Sequence, residues 1–205
     1  MLEKKYQNFY DEIIKKIKKE KIFTDKLHTL AYGTDASFYR LIPKIVIKTD
    51  NAKEVQDIIE LSNSMNLSIT FRAGGTSLSG QAISDSILVI TSRNFSNFKI
   101  APDASYISLQ PALTGAQVNG LLARYSKKIG PDPASINAAM IGGIAANNAS
   151  GMCCGISQNS YKTLKSMKLI FADGAKLDTG CSESKDAFRK SHGDFLNDLK
   201  SFSQD

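Results

Sequence analysis

Apolar residues recur at Leu2, Tyr6, Phe9, Ile13 and Ile17 with Tyr10 and Ile14 beside them, and lysines take the opposite side. This spacing predicts an amphipathic helix docked on a body of protein. From 31 to 43 the chain reads "AYGTDASFYRLIP", which has no period and predicts a loop ending at Pro43. Ile45-Val46-Ile47 then reads as a short buried strand, and Asp50 as the cap of a helix with Val55, Ile58, Ile59 and Ser62 on one side. Ser68 to Arg72 reads as a second strand. Strand, helix and strand in such a short span make a βαβ unit, so the two strands are expected to be parallel. "SILVI" (86–90) supplies a third strand.

A second group opens after Pro102 with the strand "YISLQ" (106–110). Thr114 and Gln117 have the spacing of a capping box, at the start of a helix carrying Val118, Leu121, Leu122 and Tyr125, and Gly130 is its expected stop. "PDPAS" (131–135) and "NAAMIGGIAANNASGMCCG" (137–155) follow, rich in Gly, Ala and Asn, so their backbone is expected to pack closely against something. "SMKLIF" (166–171) and "AKLDT" (175–179) predict a hairpin turning at Asp173-Gly174. Phe188, Phe195, Leu196, Leu199 and Phe202 give the tail a helical pattern.

Composition narrows the class. The 205 residues are 42% hydrophobic and 22% charged, the balance of a globular protein, and no apolar run approaches the ~20 residues of a membrane span. A cytoplasmic protein is the default expectation. Half of the net charge of +6 sits in the first 26 residues, where a solvated helix face explains it. Nucleic acid is not an expected partner, because basic and aromatic residues do not cluster; contact with an anionic membrane surface stays open. The three cysteines are odd in number and Cys153 and Cys154 are adjacent, which suggests neither a disulfide framework nor a metal pair.

The chemistry concentrates in "FRAGGTSLSG" (71–80), directly after the second strand. Gly75 and Gly80 have P-loop spacing, but Gln81 and Ala82 follow where an NTPase needs its lysine and hydroxyl. No three glycines here have the GxGxxG spacing of a dinucleotide fingerprint. Two readings remain: a tight turn between elements, or a nest in which the successive amides of Ala73 to Ser77 converge on an anion, with hydroxyls from Thr76, Ser77 and Ser79. A hydrogen bond to a charged acceptor contributes roughly 1.5–3 kcal/mol, so several from one loop outweigh the diffuse pull of the net charge. Pyrophosphate is the natural guest.

"TFRAGGTSLSGQ", "GPDPAS", "IGGIAANNASGMCCG" and "LIFADGAKLDTG", in that order, resemble the PCMH-type FAD-binding domain of flavoproteins related to vanillyl-alcohol oxidase. The nearest likeness is to the FAD and iron-sulfur D-lactate, glycolate and D-2-hydroxyglutarate dehydrogenases, from about Thr34 onward. The resemblance implies an α+β fold of two α/β subdomains, incomplete at the C-terminus. It divides the chain into an N-terminal helix and leader (1–42), a first FAD-binding subdomain (43–101) and a second (102–205).

It also implies site residues. The counterparts of Ala73, Gly74, Gly75, Thr76 and Ser77 wrap the FAD pyrophosphate, and Gly80 and Gln81 continue that wall. Pro131 to Ser135 and Gly142-Gly143 match stretches lining the cofactor; Asn148, Ala149, Ser150, Gly151 and Gly155 match a stretch near the pyrophosphate and isoalloxazine. Arg72 either faces the phosphates or ends its strand, and Arg40 is weighed as a surface residue against an approach to the active site. Some relatives attach flavin through a histidine where Thr76 stands, so non-covalent FAD is implied. His28 and His192 lie outside every motif and are expected at the surface.

The implied activity is that of an FAD-linked oxidoreductase acting on the CH-OH group of a 2-hydroxy acid. No catalytic residue and no metal ligand is assigned. The closing segment, the substrate domain and any iron-sulfur cluster of the relatives have no counterpart here, which implies a front piece that is inert alone and meets its substrate through another domain or a partner chain. The alternatives are a stand-alone FAD-binding subunit and a same-fold FAD enzyme of cell-wall precursor reduction. Electron-acceptor contact and a peripheral place at the inner membrane face complete the expectations.

Overall fold

The computed structural model describes residues 2–202. Its first compact unit, reaching to Thr163, begins α1 (Lys4–Ile13), β1 (Ile22–Phe23), α2 (Lys26–Ala31), β2 (Ile45–Thr49), α3 (Ala52–Ser64), β3 (Ile69–Arg72) and β4 (Ile87–Thr91). It continues β5 (Phe98–Ile100), β6 (Ile107–Leu109), α4 (Gly115–Ala123), α5 (Ile141–Ala146) and α6 (Ser160–Thr163). The second unit, from Leu164, holds β7 (Lys168–Ile170), β8 (Lys176–Asp178), α7 (Ser182–Ser191) and α8 (Gly193–Phe202).

The apolar runs near 45 and 87 form the centre of a sheet ordered β1-β2-β4-β3. β2 and β3 are parallel, as the βαβ spacing predicts, but each pairs with β4, which lies between them. Alternation along the strands splits the core. Ile45, Ile47, Ile87 and Val89 face Tyr6, Phe9, Ile13, Ile17 and Ile58 from α1, the turn after it and α3. Val46, Leu88 and Ile90 form the opposite face, with Phe23 and Tyr32 against them. The Tyr6 hydroxyl, carried into this core, donates to Ser86 Oγ at 3.0 Å, so its burial leaves no orphaned polar atom. A second cluster packs α4, through Val118 and Leu122, on the β5–β6 hairpin.

Caps follow local chemistry. The Thr114–Gln117 capping box is present: Gln117 N donates to Thr114 Oγ1 at 3.2 Å, and Thr114 N to Gln117 Oε1 at 2.8 Å. Asn51, not Asp50, caps α3 by accepting from Glu54 N at 3.0 Å. Asp50 instead meets Lys21 Nζ at 2.5 Å, and Glu54 meets the same ammonium at 2.6 Å, which makes a partly buried triad. α4 ends well before Gly130, with Arg124 as its cap and Ser126 at φ +53°, so Tyr125 lies beyond the helix. Gly130 is used for packing instead, since a Cβ there would strike Thr163 and the Gln158 carbonyl. The short strands β1 and β5 and helix α2 carry too few residues to show a period, and pattern reading does not find them.

In the second unit, β7 and β8 form the hairpin expected at Asp173-Gly174, with Gly174 at φ +88°. His192 is not a surface residue: its side chain is only 19% exposed, stacked on Phe188 at 4.1 Å, with Nε2 2.7 Å from Asp173 Oδ2. Among the described residues, no helix is long and apolar enough to cross a membrane.

Candidate flavin-binding site

The glycine loop leaves β3 at Arg72 and folds back on itself. Gly75 (φ +66°) and Gly80 (φ +72°) take the left-handed conformation that side chains resist. Gly74 is bare for a different reason: a Cβ there would run into the backbone carbonyl of Ala138, which cannot move aside cheaply. Gly143 faces the loop less tightly, since a Cβ there would meet Ala73 Cβ at 3.5 Å, an ordinary contact. Among the described residues, no acceptor takes the amides of Gly74 to Leu78. These amides are therefore not taken up by strand pairing.

The hydroxyls divide. Ser77 Oγ accepts from the amides of Ser79 (3.2 Å) and Gln81 (3.3 Å) and donates to Gln81 Oε1 (3.1 Å), so it holds the loop's own return rather than a guest. Thr76 lines the cleft in front of the loop. That cleft encloses about 480 Å³, within the range of small-molecule and cofactor sites. It lies beyond the carboxyl ends of the parallel strands β3 and β4, where Arg72 and Thr91 project into it. Pro133, Ser135 and residues drawn from Ala139 to Ala149, Gly142 and Gly143 among them, form the facing wall.

Arg72, Ala73, Gly74, Gly75, Thr76, Ser77, Gln81, Ser135, Gly142, Gly143 and Ala149 come together on this cleft. Gly80 instead borders a smaller hollow with Tyr39, Arg40 and Ile83, and Pro131 is buried behind the wall. Asn148 terminates α5 at φ +45°, its Oδ1 accepting from Tyr161 N at 3.0 Å. Ser150 is exposed, Gly151 packs on the Asp132 backbone, and Gly155 (φ +52°) stands in open space. Phe71, Ala82, Thr91, Pro133, Ala139, Met140, Ile144, Ala146 and Asn147 also line the cleft. Their only signal is adjacency to the motifs, because a lining apolar side chain looks like a core residue in sequence.

Among the described residues, one ionisable side chain lines the cleft, Arg72. Its Nη1 donates to Thr34 O at 2.6 Å and Tyr32 O at 3.4 Å, with the guanidinium 5.8 Å from the Tyr32 ring centroid. Burial lowers its pKa, against the Asp35 and Tyr32 charges, yet a guanidinium stays protonated throughout. Arg72 thus ends β3 and lines the cleft while its guanidinium is held on the Tyr32 and Thr34 carbonyls. Behind the wall, Asp132 accepts from the amides of Cys153 and Cys154, both at 3.1 Å. Burial pushes the Asp132 carboxyl up, but those hydrogen bonds outweigh it and hold it below the usual range. His28, stacked on Phe23 and paired with Asp25, and His192 of the second unit are both absent from the lining. Among the described residues, no cluster of His, Cys, Asp or Glu suits a metal ion.

Residues 43–180 match the family described as the FAD binding domain. The chain belongs to that family. Its relatives include a D-2-hydroxyglutarate dehydrogenase of Haemophilus influenzae, 25% identical over 80% of this chain and 16% of that protein. A D-lactate dehydrogenase of Archaeoglobus fulgidus is 26% identical over 66% of this chain and 31% of that protein. The chain therefore spans less than a third of either relative's length. A solved p-cresol methylhydroxylase superposes with a TM-score of 0.73 at 14% identity, over 89% of this chain and 38% of that one. The α+β PCMH-type fold is thus shared, and the free amides, bare glycines and small-residue wall fit FAD.

Proposed function

We propose that this chain is the flavin-holding part of an FAD-linked oxidoreductase that oxidises the carbinol carbon of a 2-hydroxy acid of the D-lactate, glycolate or D-2-hydroxyglutarate type. The observation that carries the reading is the set of partnerless amides from Gly74 to Leu78, above Arg72 and facing a wall of small residues. FAD, when bound, supplies the acceptor for the hydride equivalent. The protein's part is to bind and orient: the loop amides and Thr76 take the diphosphate, Arg72 offsets its charge, and Gly142, Gly143 and Ala149 let a flat ring approach main chain. Gly80, packed on Tyr39, and Asn148, bonded to Tyr161 N, fix backbone beside the loop and wall, while Pro131, Ser150, Gly151 and Gly155 lie off the cleft.

Among the described residues, the one ionisable side chain lining the cleft is an arginine, which is not suited to take the hydroxyl proton. We therefore place the base that takes the hydroxyl proton on another part of the enzyme or a partner chain. Thr76 offers no imidazole at the attachment position, so FAD is held without a covalent bond. The test is the absorbance spectrum of the purified chain, with and without added FAD, after gel filtration. Flavin bands that travel with the protein and leave on denaturation support the reading. A folded, monodisperse protein that takes up no flavin overturns it.

A further inference from the structure

Residues 34–40 close on themselves through backbone pairing of Thr34 with Arg40, and this small loop lies behind the glycine loop. It touches the glycine loop at its start, apex and return. Arg72 donates to Thr34 O at 2.6 Å. The Ala36 amide donates to Gly75 O at 3.1 Å. Asp35 Oδ2 accepts from the Ala82 amide at 3.3 Å, while its Oδ1 accepts from Ser37 N at 2.8 Å. The Tyr39 ring lies 2.9 Å from where a Cβ of Gly80 would stand.

Because no acceptor among the described residues takes the amides of Gly74 to Leu78, the loop's conformation depends on the contacts made to its start, apex and return. We propose that Thr34–Tyr39 is a brace that pre-organises the diphosphate nest, with Asp35 as its positioning residue. The inference rests on the FAD reading above. Asp35 serves because one carboxylate reaches Ser37 on its own loop and Ala82 beyond the glycine loop. Its charge also favours the half-buried Arg72 guanidinium without contacting the cleft. Burial pushes the Asp35 carboxyl up, but the Ser37 and Ala82 hydrogen bonds and the Arg72 charge outweigh it, so it stays ionised at neutral pH. A pre-organised loop binds more tightly because it loses less conformational freedom on binding.

Two readouts on the full-length chain test this. The first is the rate of tryptic cleavage after Arg72 in flavin-free protein, followed by mass spectrometry against cleavage at other lysines and arginines. The second is the dissociation constant for FAD. Asp35→Ala is expected to accelerate cleavage after Arg72 selectively and to weaken FAD binding about tenfold or more, because hydrogen bonds to a charged acceptor are lost. Asp35→Asn, whose single acceptor oxygen can serve Ser37 or Ala82 but not both, is expected to recover only part of the protection.

If Asp35→Ala matches the parent in both readouts, the brace is overturned and the FAD reading stands. Acceleration of all tryptic sites together would show a general loss of stability and would also overturn the brace. So would weakened FAD binding with unchanged cleavage after Arg72. If the parent protein binds no FAD yet Asp35→Ala selectively exposes Arg72, the functional reading falls and the brace survives.

Discussion

At the scale of single residues, the site depends on missing side chains as much as present ones. Gly74→Ala would push a methyl group into the Ala138 carbonyl, backbone against backbone, and force the glycine loop off the facing wall. It is expected to weaken FAD binding at least tenfold and to destabilise the fold by about 1–3 kcal/mol, the usual range for overpacking; flavin fluorescence titration and thermal unfolding check this. Gly143→Ala should be mild by comparison, since the added methyl meets Ala73 at 3.5 Å, an ordinary contact. Sequence reading distinguishes these glycines poorly. Both sit in motifs, and only the distance to the opposing backbone ranks them.

At the scale of elements, the Lys21, Asp50 and Glu54 triad ties the turn before β1 to the start of α3. The three side chains are 15%, 22% and 15% exposed, so Lys21→Met leaves two carboxylates sharing a partly dry site. A loss of about 2–4 kcal/mol is expected from breaking such a pair, measurable by denaturant unfolding. Burial pushes the Asp50 carboxyl up, but Lys21 and Ser92 outweigh it and leave it below its ordinary value. A depressed carboxyl stabilises the fold fully above its unfolded value of about 4 and loses that contribution as pH falls through the folded one. Acid unfolding of the parent should therefore begin below about pH 4, and Lys21→Met should flatten that dependence. In the second unit, His192→Ala removes a ring stacked on Phe188 together with the tie to the Asp173 turn. It should raise amide hydrogen exchange in β7 and β8 while leaving β2 and β4 unchanged.

At the scale of the whole molecule, Arg72 is the one ionisable side chain lining the cleft among the described residues. The purified chain loaded with FAD is accordingly expected to show no turnover of D-lactate or D-2-hydroxyglutarate with an artificial electron acceptor; sustained turnover would place the base in this chain and refute the proposed division of labour. Much of this was legible from sequence. Local rules determined the capping box at Thr114, the hairpin at Asp173-Gly174, the parallel βαβ strands and a glycine loop without the lysine and hydroxyl of an NTPase, because each depends on neighbours a few residues away. Only the tertiary structure decided that β4 enters between β2 and β3, that Asp50 pairs with Lys21 instead of capping α3, and that Asp35 accepts from the Ala82 amide, 47 residues downstream. Those choices are made by which surfaces bury each other and which charges must find partners once water is excluded, and no spacing along the chain encodes them.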